Sequence, residues 1–172
     1  MNNKKWLFFS FSVPAKLQGF RVKIWRKINI LGALQIKNSI YVLPATDHHQ
    51  EQLTWMSKET DEQGGEFLII AHGKLLNFSD GQIAAAFAQA RDADYQALGE
   101  EIRSVVAAPG SADTPAMLRK LEKRLEAIQS IDFFPSGKGA SLQKMLEDAR
   151  SSLDAPRPVV PVVNANRYQQ KT

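Results

Sequence analysis

The spacing of apolar residues changes several times along the chain, and each change marks an element. Trp6 to Val13, WLFFSFSV, is a dense apolar run relieved only by Ser10 and Ser12 and halted by Pro14, which predicts a buried β-strand. From Pro14 to Leu31 the residues Leu17, Phe20, Ile24, Ile28 and Leu31 recur at helical steps, and Gly32 closes the pattern. Leu34, Ile36, Asn38, Ile40 and Val42 then alternate. That suits one strand, and equally a tight hairpin at Lys37-Asn38-Ser39 between Leu34–Ile36 and Ile40–Leu43. Thr46 or Asp47 caps a second helix reaching Gln63, with Leu53 and Met56 inward, and Gly64-Gly65 ends it. Glu66–His72, EFLIIAH, is a further buried strand. With the hairpin, the order β-α-β-β-α-β predicts an α+β fold, a ferredoxin-like sandwich with two helices on one sheet face.

Beyond Asn77 the period is helical. Ser79 or Asp80 caps a long helix whose buried stripe is Ile83, Phe87, Ala90, Leu98, Ile102 and Val105, and Pro109-Gly110-Ser111 breaks it. Thr114-Pro115 starts another, with Leu118, Leu121, Leu125 and Ile128 inward. IDFFPSGKGAS reads as a loop and Leu142–Leu153 as a short final helix. The expected organisation is an α+β domain over 1–76, a helical appendage packed on it over 77–154, and a proline-rich linker or disordered tail over 155–172. No internal repeat is visible.

Charge changes this picture more than composition does. Residues 1–46 hold Lys4, Lys5, Lys16, Arg21, Lys23, Arg26, Lys27 and Lys37 with no acid, while all 18 acids lie beyond. A basic N-terminal part of this kind meets an external anion or its own acidic C-terminal part. On the first helix, Lys23, Arg26 and Lys27 are expected to project away from the apolar stripe. With Lys16 and Lys37 they form a candidate phosphate-contacting set, because nucleic-acid affinity comes largely from neutralised phosphates. Trp25 is read as packing, and no helix-turn-helix supports base readout. Hydrophobic residues make up 44% of the chain, enough for a sizeable core. The first apolar run is too short to span a bilayer, so no membrane partner is expected and the cytoplasm is the default location.

Candidate chemistry is sparse. With no cysteine there is neither a thiol nucleophile nor a thiolate metal site. His48 and His49, being adjacent, diverge, and His72 adds no metal-ligand spacing. PSGKGAS lacks the phosphate-loop pattern and reads as a turn. In ARDADY, residues 90–95, Asp92 and Asp94 diverge on a helix. Asp94 lies near the projected buried stripe and is expected to pair with Arg21, which borders the stripe of the first helix. No catalytic residue, metal or cofactor is expected.

WLFFSFSVPAK, RVKIWRKINILGALQIKNSIYVLPAT, ARDADYQAL and IDFF, in that order, resemble the N-terminal region of the chromate-resistance regulator family ChrB, over residues 5 to about 154. The resemblance implies a bacterial, chromate-responsive transcriptional regulator or regulatory domain that binds duplex DNA or a partner. It also implies chromate, or another oxyanion, as a possible ligand. Candidate anion-binding residues are Arg21, Arg26 and Lys23, since guanidinium and ammonium groups hold such dianions. Longer members continue into a C-terminal domain, so a domain of that type on another chain is an expected partner; a homodimer is another. Residues 5–72 also resemble the small domain of PaaX-type repressors and Cas2 nucleases. Cas2 proteins carry an aspartate at the end of the first strand where this chain has Ser10, Ser12 and Val13. The expectation is therefore a non-enzymatic regulator, with an interaction module or a degenerate metal-dependent nuclease as alternatives.

Overall fold

The computed structural model describes residues 6–107 and 113–154. The first strand, β1 (Trp6–Ser12), is central, and helix α1 (Gln18–Ile30) follows it. A hairpin of β2 (Leu34–Lys37) and β3 (Ile40–Pro44) comes next, then helix α2 (Asp47–Glu62) and strand β4 (Glu66–Gly73). The sheet is antiparallel with strand order β2-β3-β1-β4; Phe8 lies opposite Val42 on one side and Ile70 on the other. The hairpin alternative thus holds for residues 34–44. Asn38 takes φ 47°, a left-handed conformation that asparagine tolerates better than most residues, and the chain reverses there.

Both faces of β1 are buried, which explains its near-continuous apolar run. Leu7 and Phe9 point to one face, where they pack with Leu43 under Ile24 and Ile28 of α1 and Leu53 and Met56 of α2. Trp6 and Phe8 point to the other, where they meet Val42 and the residues Ile83 and Phe87 of helix α3 (Asp80–Ala107). The Trp6 ring stacks on Phe87 at 5.9 Å, and its indole N–H donates to Asp80 Oδ1 at 2.9 Å. On this second face β4 stays open, leaving Leu68 and Ile70 exposed.

The distal half of α3 builds a third core. Tyr95, Leu98 and Ile102 pack with Leu118, Leu121 and Leu125 of α4 (Thr114–Ser130) and Leu142 and Leu146 of α5 (Lys138–Asp154). One helix therefore roofs the sheet and anchors a helical unit. Helix α5 starts four residues earlier than Leu142, at a turn where Gly137 has φ 84°. Residues 131–137 are more than a loop: Phe133 and Phe134 insert between elements, with Phe133 packed on both sheet cores. The close of α1 is cut to fit this segment. Gly32 has φ 74°, and a Cβ there would stand 2.6 Å from Ile131 Cβ.

The caps resolve two alternatives. Thr46 Oγ1 accepts from the His49 backbone N–H at 3.1 Å, so Thr46 caps α2. Ser79 and Gln82 form a reciprocal capping box at the start of α3: Ser79 N donates to Gln82 Oε1 at 2.8 Å, and Gln82 N donates to Ser79 Oγ at 3.2 Å. The expected break at Pro109–Ser111, the tail over 155–172, and Lys4 and Lys5 lie outside the described residues. No helix among the described residues is long and apolar enough to cross a membrane.

Candidate functional site

Helix α1 turns Ile24 and Ile28 to the sheet, which leaves its polar residues on two flanks and an outer ridge. The flank toward α2 carries Lys23 and Lys27, both paired with Glu59 of α2. Lys27 Nζ donates to Oε2 at 2.7 Å, and Lys23 Nζ donates to Oε1. These hydrogen bonds, that of Lys23 foremost, hold the Glu59 carboxyl below its usual pKa. The lysine side chains remain 54% and 45% exposed, so no element among the described residues roofs them; α3 lies across the sheet. Exposed pairs of this type contribute about 0–1 kcal/mol each, so the clasp is weak enough to open for a competing anion. The basic residues do not share one ridge as expected. Lys23 and Lys27 border the seam with α2, while Arg26 faces outward.

The other flank forms a groove. Arg21, Val22 and Trp25 make one wall, Phe11 to Val13 at the end of β1 another, and Tyr41 with the hairpin tip Asn38-Ser39 completes a cavity of about 480 Å³. Arg21 Nη2 donates to the Val13 carbonyl at 2.9 Å, which orients the guanidinium along the groove. Trp25 is 53% exposed, contrary to its reading as packing, because its place on the helix lies past the edge of the sheet core. Lys16, Arg26 and Lys37 are exposed, and none has an ion-pair partner among the described residues. Arg21, Arg26 and Lys23, the anion-binding set, do not converge: Arg21 and Lys23, two residues apart on a helix, face opposite flanks.

The expected Arg21–Asp94 ion pair does not form. Helix α1 packs on one sheet face and α3 on the other, so the two side chains never meet. Asp94 instead pairs with Arg91 one turn away at 3.0 Å. The rest of ARDADY latches α3 to the segment leading into α5. Asp92 accepts from Ser136 Oγ at 2.9 Å and from Lys138 Nζ at 2.7 Å, and the Lys138 hydrogen bond is the main cause of its lowered pKa. Tyr95 donates its hydroxyl to Asp132 Oδ2 at 2.9 Å; burial, reinforced by that carboxylate, pushes the phenol pKa up. His49 is a core residue. Its Nδ1–H donates to the Pro44 carbonyl at 2.8 Å, its ring meets Phe133 edge-on, and burial holds its pKa down. Among the described residues no group of three or more His, Asp or Glu side chains is placed to hold a metal ion.

Sequence reasoning missed Glu59 and the groove. Glu59 stands 36 and 32 positions from its two lysines, and no local signal links such residues. Three separate segments, at 11–13, 21–25 and 38–41, line the groove; only the unmatched Trp25 among basic residues hinted at it.

The family model described as "Protein ChrB, N-terminal" matches residues 21–108, from α1 to the end of α3. Protein ChrB of Cupriavidus metallidurans is 21% identical to this chain over 150 residues, which cover 87% of this chain and 46% of that protein. The chain thus spans about half the length of this relative. No solved structure matches.

Proposed function

Because this chain belongs to the family of ChrB N-terminal domains, we propose that it is a non-enzymatic regulatory domain of chromate resistance that docks on nucleic-acid phosphates through α1. The observation that carries the reading is charge without compensation. The first 46 residues hold eight basic residues and no acid, and Lys16, Arg26 and Lys37 stand exposed without carboxylate partners among the described residues. Lys23 and Lys27 join them whenever a phosphate displaces Glu59. The strand order β2-β3-β1-β4, with α1 and α2 on one face, supports a ferredoxin-like reading of the first four strands. Chromate sensing is assigned elsewhere, since Arg21, Arg26 and Lys23 do not converge. A cytoplasmic location follows from the regulatory role.

The test is a salt titration of duplex-DNA binding followed by fluorescence anisotropy. Three free cations predict a log–log slope of about −3, and Arg26→Ala should make it shallower by about one. Absence of binding at low salt overturns the reading, and magnesium- or manganese-dependent cleavage of the DNA would overturn its non-enzymatic part.

A second reading, a protein-interaction module, is favoured by one observation. The helical layer exposes Trp55 at 62% and Ile30 at 74%, more apolar surface than phosphate contacts use. Its partner would be a domain of the type that follows in longer relatives. Calorimetric titration with that domain, produced as a separate chain, tests it.

A further inference from the structure

The groove beside α1 holds chemistry that backbone-phosphate contacts leave unused. Trp25 presents an exposed ring on one wall, and Tyr41 lies on another. Tyr41 is held by aromatic neighbours, Phe9 at 5.4 Å and Phe11 at 5.9 Å, so its wall is set before any ligand arrives. Arg21 spends one guanidinium nitrogen on the Val13 carbonyl and pairs with no carboxylate among the described residues. A guanidinium has five N–H donors, so a directed, uncompensated cation faces the cavity. Ser12, Asn38 and Ser39 add neutral donors and acceptors at the rim.

We propose that this groove takes one nucleotide unit, its base stacked on Trp25 and its phosphate bound by Arg21; this rests on the nucleic-acid reading and names the unit recognised. Three features select that chemistry. The ring wall favours a planar π-system, because indole stacks on any base face. The uncompensated guanidinium requires an anion and rejects cationic ligands. The cavity of about 480 Å³ falls within the roughly 300–1,000 Å³ of small-ligand sites. A bare tetrahedral oxyanion would use Arg21 and leave both aromatic walls idle, and an apolar peptide would leave the cation unpaired. Bases inside a duplex are already stacked, so the unit is either unpaired in a strand or a free mononucleotide.

The experiment uses the full chain and fluorescence anisotropy with labelled oligothymidylate and a labelled duplex of equal length. Thymidine monophosphate and inorganic phosphate serve as competitors. Oligothymidylate should bind, and Trp25→Ala should weaken it by about 5- to 100-fold, the range of one lost base stack. Trp25→Phe should restore most of the affinity, and duplex binding should change less than twofold. Thermal melting confirms that both variants fold. Competition by thymidine monophosphate assigns the site to free nucleotides, and oligothymidylate binding that thymidine monophosphate does not displace assigns it to unpaired strands. Equal competition by inorganic phosphate, or oligothymidylate affinity unmoved by Trp25→Ala, overturns the inference. If duplex binding with its steep salt dependence persists in that case, the parent reading stands; if neither nucleic acid binds, both fall.

Discussion

Glu59 joins two lysines that lie four residues apart on a neighbouring helix, and so stands where a phosphate would sit if it bridged them. Its charge is an internal competitor for any polyanion approaching that flank. Glu59→Gln keeps the shape and removes the charge. Since an exposed pair contributes about 0–1 kcal/mol, the variant should tighten duplex binding by up to about fivefold and steepen the salt slope by one to two. Its thermal midpoint should fall only slightly. Unchanged anisotropy curves would mean that Lys23 and Lys27 take no part in binding. The pH sign follows from the depressed carboxyl: the clasp stabilises above the usual pKa near 4.5 and is lost as pH falls through the lower folded value. Helical spacing made the exposure of Lys23, Arg26 and Lys27 legible in the sequence. Their partner was not, because contact between α1 and α2 is a matter of packing.

Residues 131–137 are the element where local reading and structure differ most. Pro135, Ser136 and Gly137 are turn-forming, and the segment reads as a connection between helices. Its first residues act instead as a wedge between sheet and bundle, fastened by Tyr95 and Asp92. Tyr95→Phe tests the latch without changing ring volume. It strips Asp132 Oδ2 of its donor, while Oδ1 is already buried without one, so the variant should lose about 1–3 kcal/mol in denaturant unfolding. The phenol also carries an alkaline signature. Because its folded pKa is raised, both states are protonated below the usual value near 10; above it only the unfolded state ionises, and stability falls as pH rises. Tyr95→Phe should remove that alkaline loss, and a variant that keeps it would place its cause elsewhere. The expectation for ARDADY was an Asp94–Arg21 pair; the partners of Asp92 and Tyr95 lie some 40 residues on, at Asp132 to Lys138, beyond the reach of local pattern.

At the scale of the molecule, α3 makes the expected boundary at residue 76 a poor place to cut. A chain ending there would expose Trp6, Phe8 and Val42, which in the intact protein pack under Ile83 and Phe87. Two of those are aromatic, and an open apolar sheet face of that kind promotes association. The fragment 1–76 should therefore lack a cooperative melt and elute as aggregate in size-exclusion chromatography, while the full chain melts in one transition. A monomeric, cooperatively melting fragment would show that the sheet needs no second cover.

What the sequence determined by itself was local: the order of helices and strands apart from the choice of strand or hairpin at 34–43, the starts of α2, α3 and α4 to within a residue, the apolar stripes, and an N-terminal part rich in positive charge. Those properties act through hydrogen bonds and side-chain spacing within a few positions, so they can be read along the chain. Tertiary structure alone decided that α1 and α3 lie on opposite sheet faces, which separates Arg21 from Asp94. It also brought Glu59 to the two lysines and enclosed a groove from β1, α1 and the hairpin. The physical reason is that such contacts follow from which buried faces fit together, and a single chain's pattern says only that those faces must be covered.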